Sequence, residues 1–183
     1  MLAEHLGRLL PDGGRILDIG CGDGSLARLV MDRRPDVEVV GIDVLVRPDT
    51  HIPVEAFDGT TIPYDDASFD GAVIVDVLHH TEDPIVLLRE AARVAPRTVV
   101  VKDHLADGFL ARPTLKLMDW VGNAHHGVGL PFNYWTTGRW RQAIGELGLT
   151  TETWETDVGL YPWPASMAFD RHLHLLCRLS ASV

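Results

Sequence analysis

Of 183 residues only two are cysteine, Cys21 and Cys177. Two thiols so far apart make no disulfide framework, and a reducing cytoplasm is the expected home. Basic residues are also scarce, 16 Lys and Arg against 26 Asp and Glu, for a formal net charge of −10. That balance leaves no basic patch for a nucleic-acid backbone or an anionic membrane surface, so neither is an expected partner. No apolar run reaches the ~18 residues that a membrane-spanning helix needs. The opening "MLAEHLGRLLPDGG" has neither the apolar core nor the cleavage site of a secretory leader. Internal repeats and low-complexity tracts are lacking as well. What is present is a chain with 46% hydrophobic residues, enough for a sizeable core, expected to form one domain over residues 1–183.

Along the chain, strand-like and helix-like segments alternate. Leu2, Leu6, Leu9 and Leu10 share one helical face, and "PDGG" stops that helix. Residues 15–20 read as a buried strand, and the helix after it turns Leu26, Leu29 and Val30 inward. Strands are expected at residues 37–43, more weakly at 54–57, and again at 69–76. "VLVRPDTHIP" is too short for a full crossover helix, so strands two and three are joined by a loop or single turn. Asp83 fits an N-cap followed by Pro84 at the first helical position, and residues 97–103 form a fifth strand. This alternation implies parallel βαβ units and an α/β, doubly wound sheet. Residues 1–103 are then the cofactor half and residues 104–183 the substrate side.

The last third has another texture, with all five tryptophans between Trp120 and Trp163. Residues 114–122 and 136–148 read as helices. In the second, Trp140, Ala143, Ile144 and Leu147 recur at i, i+3, i+4, i+7, Thr136 or Thr137 caps the start, and Gly148 the end. Residues 150–156 and 172–179 close the same sheet.

The most informative stretch is "ILDIGCGDGSLA", a strand running through Gly20, Gly22 and Gly24 into a helix. Glycines let the backbone turn sharply and approach a ligand closely. A dinucleotide fingerprint needs glycine where Ser25 stands, which disfavours a nicotinamide oxidoreductase. Asp18 precedes the loop, Asp43 closes the second strand, where an acid receives ribose hydroxyls in doubly wound folds, and Asp58 follows the third.

Together, "ILDIGCGDG", "VVGID", "FDGTTIPYDDASFD" and "VDVLHHTEDP" resemble the successive motifs of class I S-adenosylmethionine-dependent methyltransferases, over about residues 12–103. The likeness is to the small-molecule (type 11) group that includes ubiquinone- and menaquinone-pathway enzymes. The resemblance implies a Rossmann-like sheet of seven strands in order 3-2-1-4-5-7-6, the last antiparallel, with helices on both faces. It implies transfer of a methyl group from S-adenosylmethionine to a small-molecule acceptor at oxygen, leaving S-adenosylhomocysteine. Gly20, Cys21, Gly22 and Gly24 would pass under the methionine and ribose, and Asp18 would position the methionine end. Asp43 would take the ribose hydroxyls. Asp58, flanked by Phe57 and Gly59, would reach the adenine, and Asp76 would face the cofactor from strand four. A cofactor-binding protein without transferase activity is the alternative.

Ligands in such sheets bind at the switch point, outside the carboxyl ends of strands one and four. Asp76, His79 and His80 therefore stand near the transferable methyl. Adjacent residues point in different directions, so one histidine faces the methyl while the other braces the turn, with His80 the better placed to act. Three readings stay open: both histidines structural, an Asp76–His80 proton relay, or a metal-assisted O-methyltransferase. Magnesium prefers oxygen ligands, and His79 in place of a carboxylate argues against it and toward zinc or iron; no metal is expected. On the substrate side, His104 (with Lys102 and Asp103) ends strand five. Asn123, His125, His126, Asn133, Tyr134 and Trp135 suggest an aromatic lid over a pocket for a small, partly apolar molecule.

Overall fold

The computed structural model describes residues 1–123 and 132–181, apart from the side chains of Gly122 and Asn123. The elements in chain order are α1 (Leu2–Leu9), β1 (Gly14–Ile19), α2 (Ser25–Met31), β2 (Val37–Asp43), β3 (Val54–Ala56) and β4 (Gly71–Val75). A one-turn 3-10 segment, Leu78–His80, precedes α3 (Pro84–Val94), β5 (Val99–His104), α4 (Ala111–Asn123), α5 (Thr137–Glu146), β6 (Leu149–Glu155), α6 (Ser166–Phe169) and β7 (His174–Ala181). The seven strands form one sheet in the order β3-β2-β1-β4-β5-β7-β6. Pairing is parallel from β3 through β5, and β7 runs antiparallel to both β5 and β6. The expected topology is the observed one.

The strands have apolar side chains on both faces because helices cover both faces. In β5 the alternation is plain: Val99 and Val101 join the core under α3 and α5, while Val100 joins the core under α1 and α2. β1 divides likewise, Leu17 and Ile19 to one side and Ile16 to the other. Each fully buried Leu, Ile or Val contributes roughly 1.5–3 kcal/mol relative to exposure. The helix starts follow local chemistry. Asp83 accepts from the Ile85 amide at 3.0 Å with Pro84 at N1, and Thr136 accepts from the Arg139 amide at 3.3 Å. Segment 44–53 carries no helix, as its length requires.

One helical face differs from expectation. In α2 the inward residues are Ala27 and Val30, while Leu29 is 48% exposed. The helix is only two turns long, and the small Ala27 allows close approach where the larger Leu29 falls off the inner face.

Candidate active site

Three groups of loops stand at the carboxyl ends of the parallel strands, and those after β1 and β4 lie where the sheet order reverses. The first is the glycine loop after β1. Gly20, Gly22 and Gly24 all have positive φ, a region that favours glycine, but their surroundings differ. A Cβ on Gly20 would strike the Val77 side chain, and one on Gly24 would strike Ile52; one on Gly22 would meet nothing within 4 Å. Gly20 therefore lets the β1 loop lie against the β4 loop, and Gly22 faces open space. The Gly22 amide donates to Asp43 Oδ2 at 2.8 Å, so the ends of β1 and β2 are tied through that carboxylate. Cys21 packs half-buried against Gly41, and burial followed by the charges of Asp18 and Asp43 pushes its thiol up to about 12, far from a nucleophile. Burial, reinforced by Asp43, lifts the buried Asp18 carboxyl to about 7.

The second segment follows β2 and β3. Asp43 also accepts from the Leu45 amide at 2.8 Å. Asp58 is exposed, and its Oδ1 holds its own turn, accepting from the amides of Thr60 and Thr61, both at 2.7 Å, and from the Thr60 hydroxyl at 2.9 Å. Those bonds hold the Asp58 carboxyl below the usual carboxylate range. Phe57 is partly buried against the core and Gly59 has positive φ.

The third segment follows β4 and β5 and carries the densest polar cluster. Asp76 sits at φ +55°, an uncommon conformation for a side chain other than Gly, Asn or Asp, and one often found at functional sites. Both its oxygens take the Lys102 ammonium at 2.6 Å, and Lys102 is buried. Burial works against the Asp76 charge, but Lys102 and His104 outweigh it and hold the carboxyl at about 2. No hydrogen bond or ion pair joins Asp76 to His80 among the described residues; Lys102 occupies the position the relay reading gave to histidine.

The two neighbouring histidines differ sharply. His79 is 2% exposed, and its Nδ1 lies 2.7 Å from Asp103 Oδ1. Asp103 also accepts from the Leu78 and His104 amides, so it fixes the turn and the ring together. On the far side His79 Nε2 lies 3.4 Å from Asp119 Oδ2. Burial opposes charge on His79, but Asp103 and then Asp119 outweigh it and raise the ring to about 10. His80 is only half-buried, with its ring 3.9 Å from that of His79, and burial followed by the neighbouring His79 lowers it. His79 is thus the bracing ring and His80 the more open one.

His104, buried at the end of β5, places Nε2 3.6 Å from Asp76 Oδ1 and 3.7 Å from Asp119 Oδ1. His174 stands behind it, ring centroids 5.4 Å apart, accepting from or donating to nothing at Nδ1 among the described residues.

Of the lid residues, the side chain of Asn123, and His125 and His126, lie outside the described residues. The Asn133 backbone amide donates to the His79 carbonyl at 3.0 Å, tying the segment before α5 to the histidine turn. Tyr134 is buried and its hydroxyl donates to Asp119. Trp135 is a correction. It is 9% exposed and packs edge-on against Trp140 in the main core instead of lining a pocket.

Asp119 and His174 were not anticipated. For Asp119 a signal existed: Ala111, Leu115, Met118 and Asp119 recur at i, i+4, i+7, i+8 on the inner face of α4, so a carboxylate stands in an apolar stripe. His174 alternates with leucines in a strand and gives no signal of its own.

Residues 2–153 match the family described as the methyltransferase domain, and the chain belongs to that family. It is 36% identical over 108 residues to 27-O-demethylrifamycin SV methyltransferase of Amycolatopsis mediterranei, covering 51% of this chain and 39% of that protein. It is 34% identical over 99 residues to the ubiquinone/menaquinone biosynthesis C-methyltransferase of a Geobacter strain, covering 46% and 42%. The chain spans about half the length, or less, of these curated relatives. Among solved structures, an S-adenosylmethionine-dependent methyltransferase from Mesorhizobium loti superposes with a TM-score of 0.71 at 24% identity, over 96% of this chain and 95% of that one. That likeness establishes the fold, the Rossmann-like sheet of this class. No described helix is long and apolar enough to cross a membrane.

Proposed function

We propose that this chain transfers a methyl group from S-adenosylmethionine to a hydroxyl oxygen of a small molecule, in the crevice at the carboxyl ends of β1 and β4. One observation carries the reading. The glycine loop leaves open space at Gly22, touches the β4 loop at Gly20 and Val77, and stands beside the polar cluster at the ends of β4 and β5. A cofactor over Gly22 is flanked by Asp18 and Asp43, carboxylates suited to its ammonium and ribose hydroxyls. The family supports methyl transfer, and the O-specific name of the rifamycin relative supports oxygen as the acceptor.

Displacement at the methyl is in line: the acceptor oxygen forms the new C–O bond while the C–S bond breaks. The sulfonium would become the neutral thioether of S-adenosylhomocysteine, and the hydroxyl proton would pass to the His80 ring, whose lowered pKa favours the neutral, accepting form. Holding oxygen and methyl in line supplies much of the rate, since well-oriented reactants reach effective molarities of about 10⁵ M and above. Asp103 and the Asn133 amide fix the histidine turn from two sides, and the open His80 ring is assigned the contact to the acceptor hydroxyl. Mass-spectrometric detection of S-adenosylhomocysteine, formed with a panel of phenols and hydroxylated polyketides, tests the reading. Cofactor-dependent product carrying an O-methyl group is expected. Cofactor binding without turnover across the panel would favour the non-transferring alternative, and a C-methyl product would overturn the choice of oxygen.

A further inference from the structure

The two faces of α4 differ in what they meet. Ala111, Leu115 and Asp119 turn inward, and Asp119 meets the Tyr134 hydroxyl and the His79 ring there. The outer face stands in solvent and is apolar. Leu110, just before the first turn, and Leu117, Trp120 and Val121 are each more than half exposed, and Phe109 almost wholly so. At the pitch of an α-helix, Leu110, Pro113, Leu117, Trp120 and Val121 fall within about 100° of the circumference. A contiguous exposed stripe of this kind marks an interaction surface. Its flanks are basic. Arg112 and Lys116 run along one edge, and on the other edge Arg171 donates to the Thr114 hydroxyl at 3.0 Å. Arg112 donates to the Tyr134 carbonyl at 3.3 Å, and the Lys116 ammonium lies 5.4 Å from the centre of the Phe132 ring. None of these contacts cancels a charge. The one acid of α4, Asp119, is buried on the opposite face. The acidic excess of the whole chain made an anionic membrane surface an unexpected partner, and on this helix the sign is reversed. The segment around α6, which Arg171 joins to α4, also exposes Trp163 and Met167.

We propose that the outer face of α4 docks onto an anionic phospholipid bilayer, with the helix lying in the plane of the interface. An apolar stripe rimmed by Lys and Arg is the pattern of helices that rest in the headgroup layer. Leu110, Leu117 and Val121 enter the acyl boundary, and Trp120 has the amphipathic ring that suits that depth. Arg112, Lys116 and Arg171 meet the lipid phosphates, each basic residue near such a surface strengthening binding about fivefold. Charge decides among the occupants. A second copy pairing through the same face sets these cations against their own kind, and an uncharged bilayer leaves them without a counterion. The inner face of the same helix carries Asp119 to the histidine turn, so the docking surface and the polar cluster share one element. The inference concerns binding alone and stands whether or not the crevice transfers methyl groups.

Flotation of the protein with lipid vesicles tests the surface. Vesicles of phosphatidylcholine and phosphatidylglycerol in equal parts should carry the protein. Vesicles of phosphatidylcholine alone should bind it at least about tenfold more weakly, and so should the mixed vesicles in about 1 M salt, where charges are screened within about 3 Å. Leu117→Asp and Lys116→Glu should each weaken binding to the mixed vesicles by about tenfold or more, with circular dichroism showing each variant folded. Leu29→Asp, which alters an exposed leucine on α2, should leave binding unchanged. If Leu117→Asp fails to fold, Lys116→Glu decides alone. Absence of binding by the folded parent protein overturns the proposal, as does equal binding to the two kinds of vesicle or unchanged binding in either folded α4 variant. Self-association in sedimentation that Leu117→Asp abolishes, without vesicle binding, would assign the face to a second copy of the chain instead.

Discussion

Residues of one type in a single motif divide by what surrounds them, and Gly20 and Gly22 show it. Alanine at Gly20 meets the Val77 side chain as well as the left-handed backbone. We expect Gly20→Ala to lose about 2–4 kcal/mol of stability in urea unfolding, combining backbone strain with overpacking. Alanine at Gly22 meets open space, so Gly22→Ala loses only the backbone part, about 1–2 kcal/mol. Under the proposed function it should nevertheless weaken S-adenosylmethionine binding by at least about tenfold, equivalent to 1.4 kcal/mol, because the methyl would stand in the space assigned to the cofactor. Equal effects of the two substitutions on stability and affinity would refute this division. The buried Asp103 is the other telling residue, accepting from the His79 ring and from the amides of Leu78 and His104. Asp103→Asn removes one partner of a buried pair and should cost about 3–5 kcal/mol, read as a shift of the urea midpoint without change of slope.

At the scale of elements, the helices test local chemistry. Asp83 caps α3 through the Ile85 amide, so Asp83→Ala should cost about 1 kcal/mol, with the helix retained in circular dichroism. The elements were also the most legible part of the sequence. β2 begins and ends at the expected residues because Val37, Val39, Val40 and Ile42 form a buried apolar strand broken only by the exposed Glu38 and closed by Asp43. The short two-turn α2 is where periodicity misled, since Ala27 could take the inner position expected of Leu29. In the site, the glycine loop and the strand-end acids were legible because turn chemistry is local. The Asp76–Lys102 pair was not, because its partners are 26 positions apart and meet only once β4 and β5 pair. Asp119 was legible in principle, as a carboxylate in an apolar stripe. His174 was not, because only the antiparallel return of β7 brings it beside His104.

For the whole molecule, the sheet order brings the glycine loop, the strand-end acids and the histidine cluster to one edge. Under the proposed function its electrostatics make cofactor binding depend on pH. Asp18 is lifted from an ordinary value of 3.8 to about 7 by burial and by Asp43. The folded protein therefore holds an extra proton across that window. The stability this confers is complete below the lower value and is lost as pH rises through about 7. A cofactor carrying an ammonium and a sulfonium compensates the ionised carboxylate, so the rise in melting temperature on adding S-adenosylmethionine should grow from about pH 6 to about pH 8. A shift independent of pH would remove Asp18 from the cofactor site. The most direct measurement of the function is calorimetric titration of the protein with S-adenosylmethionine and, separately, S-adenosylhomocysteine. One molecule of each should bind per chain, with binding lost in Gly22→Ala. Absence of binding by both ligands to the folded protein would contradict the cofactor assignment and the function built on it.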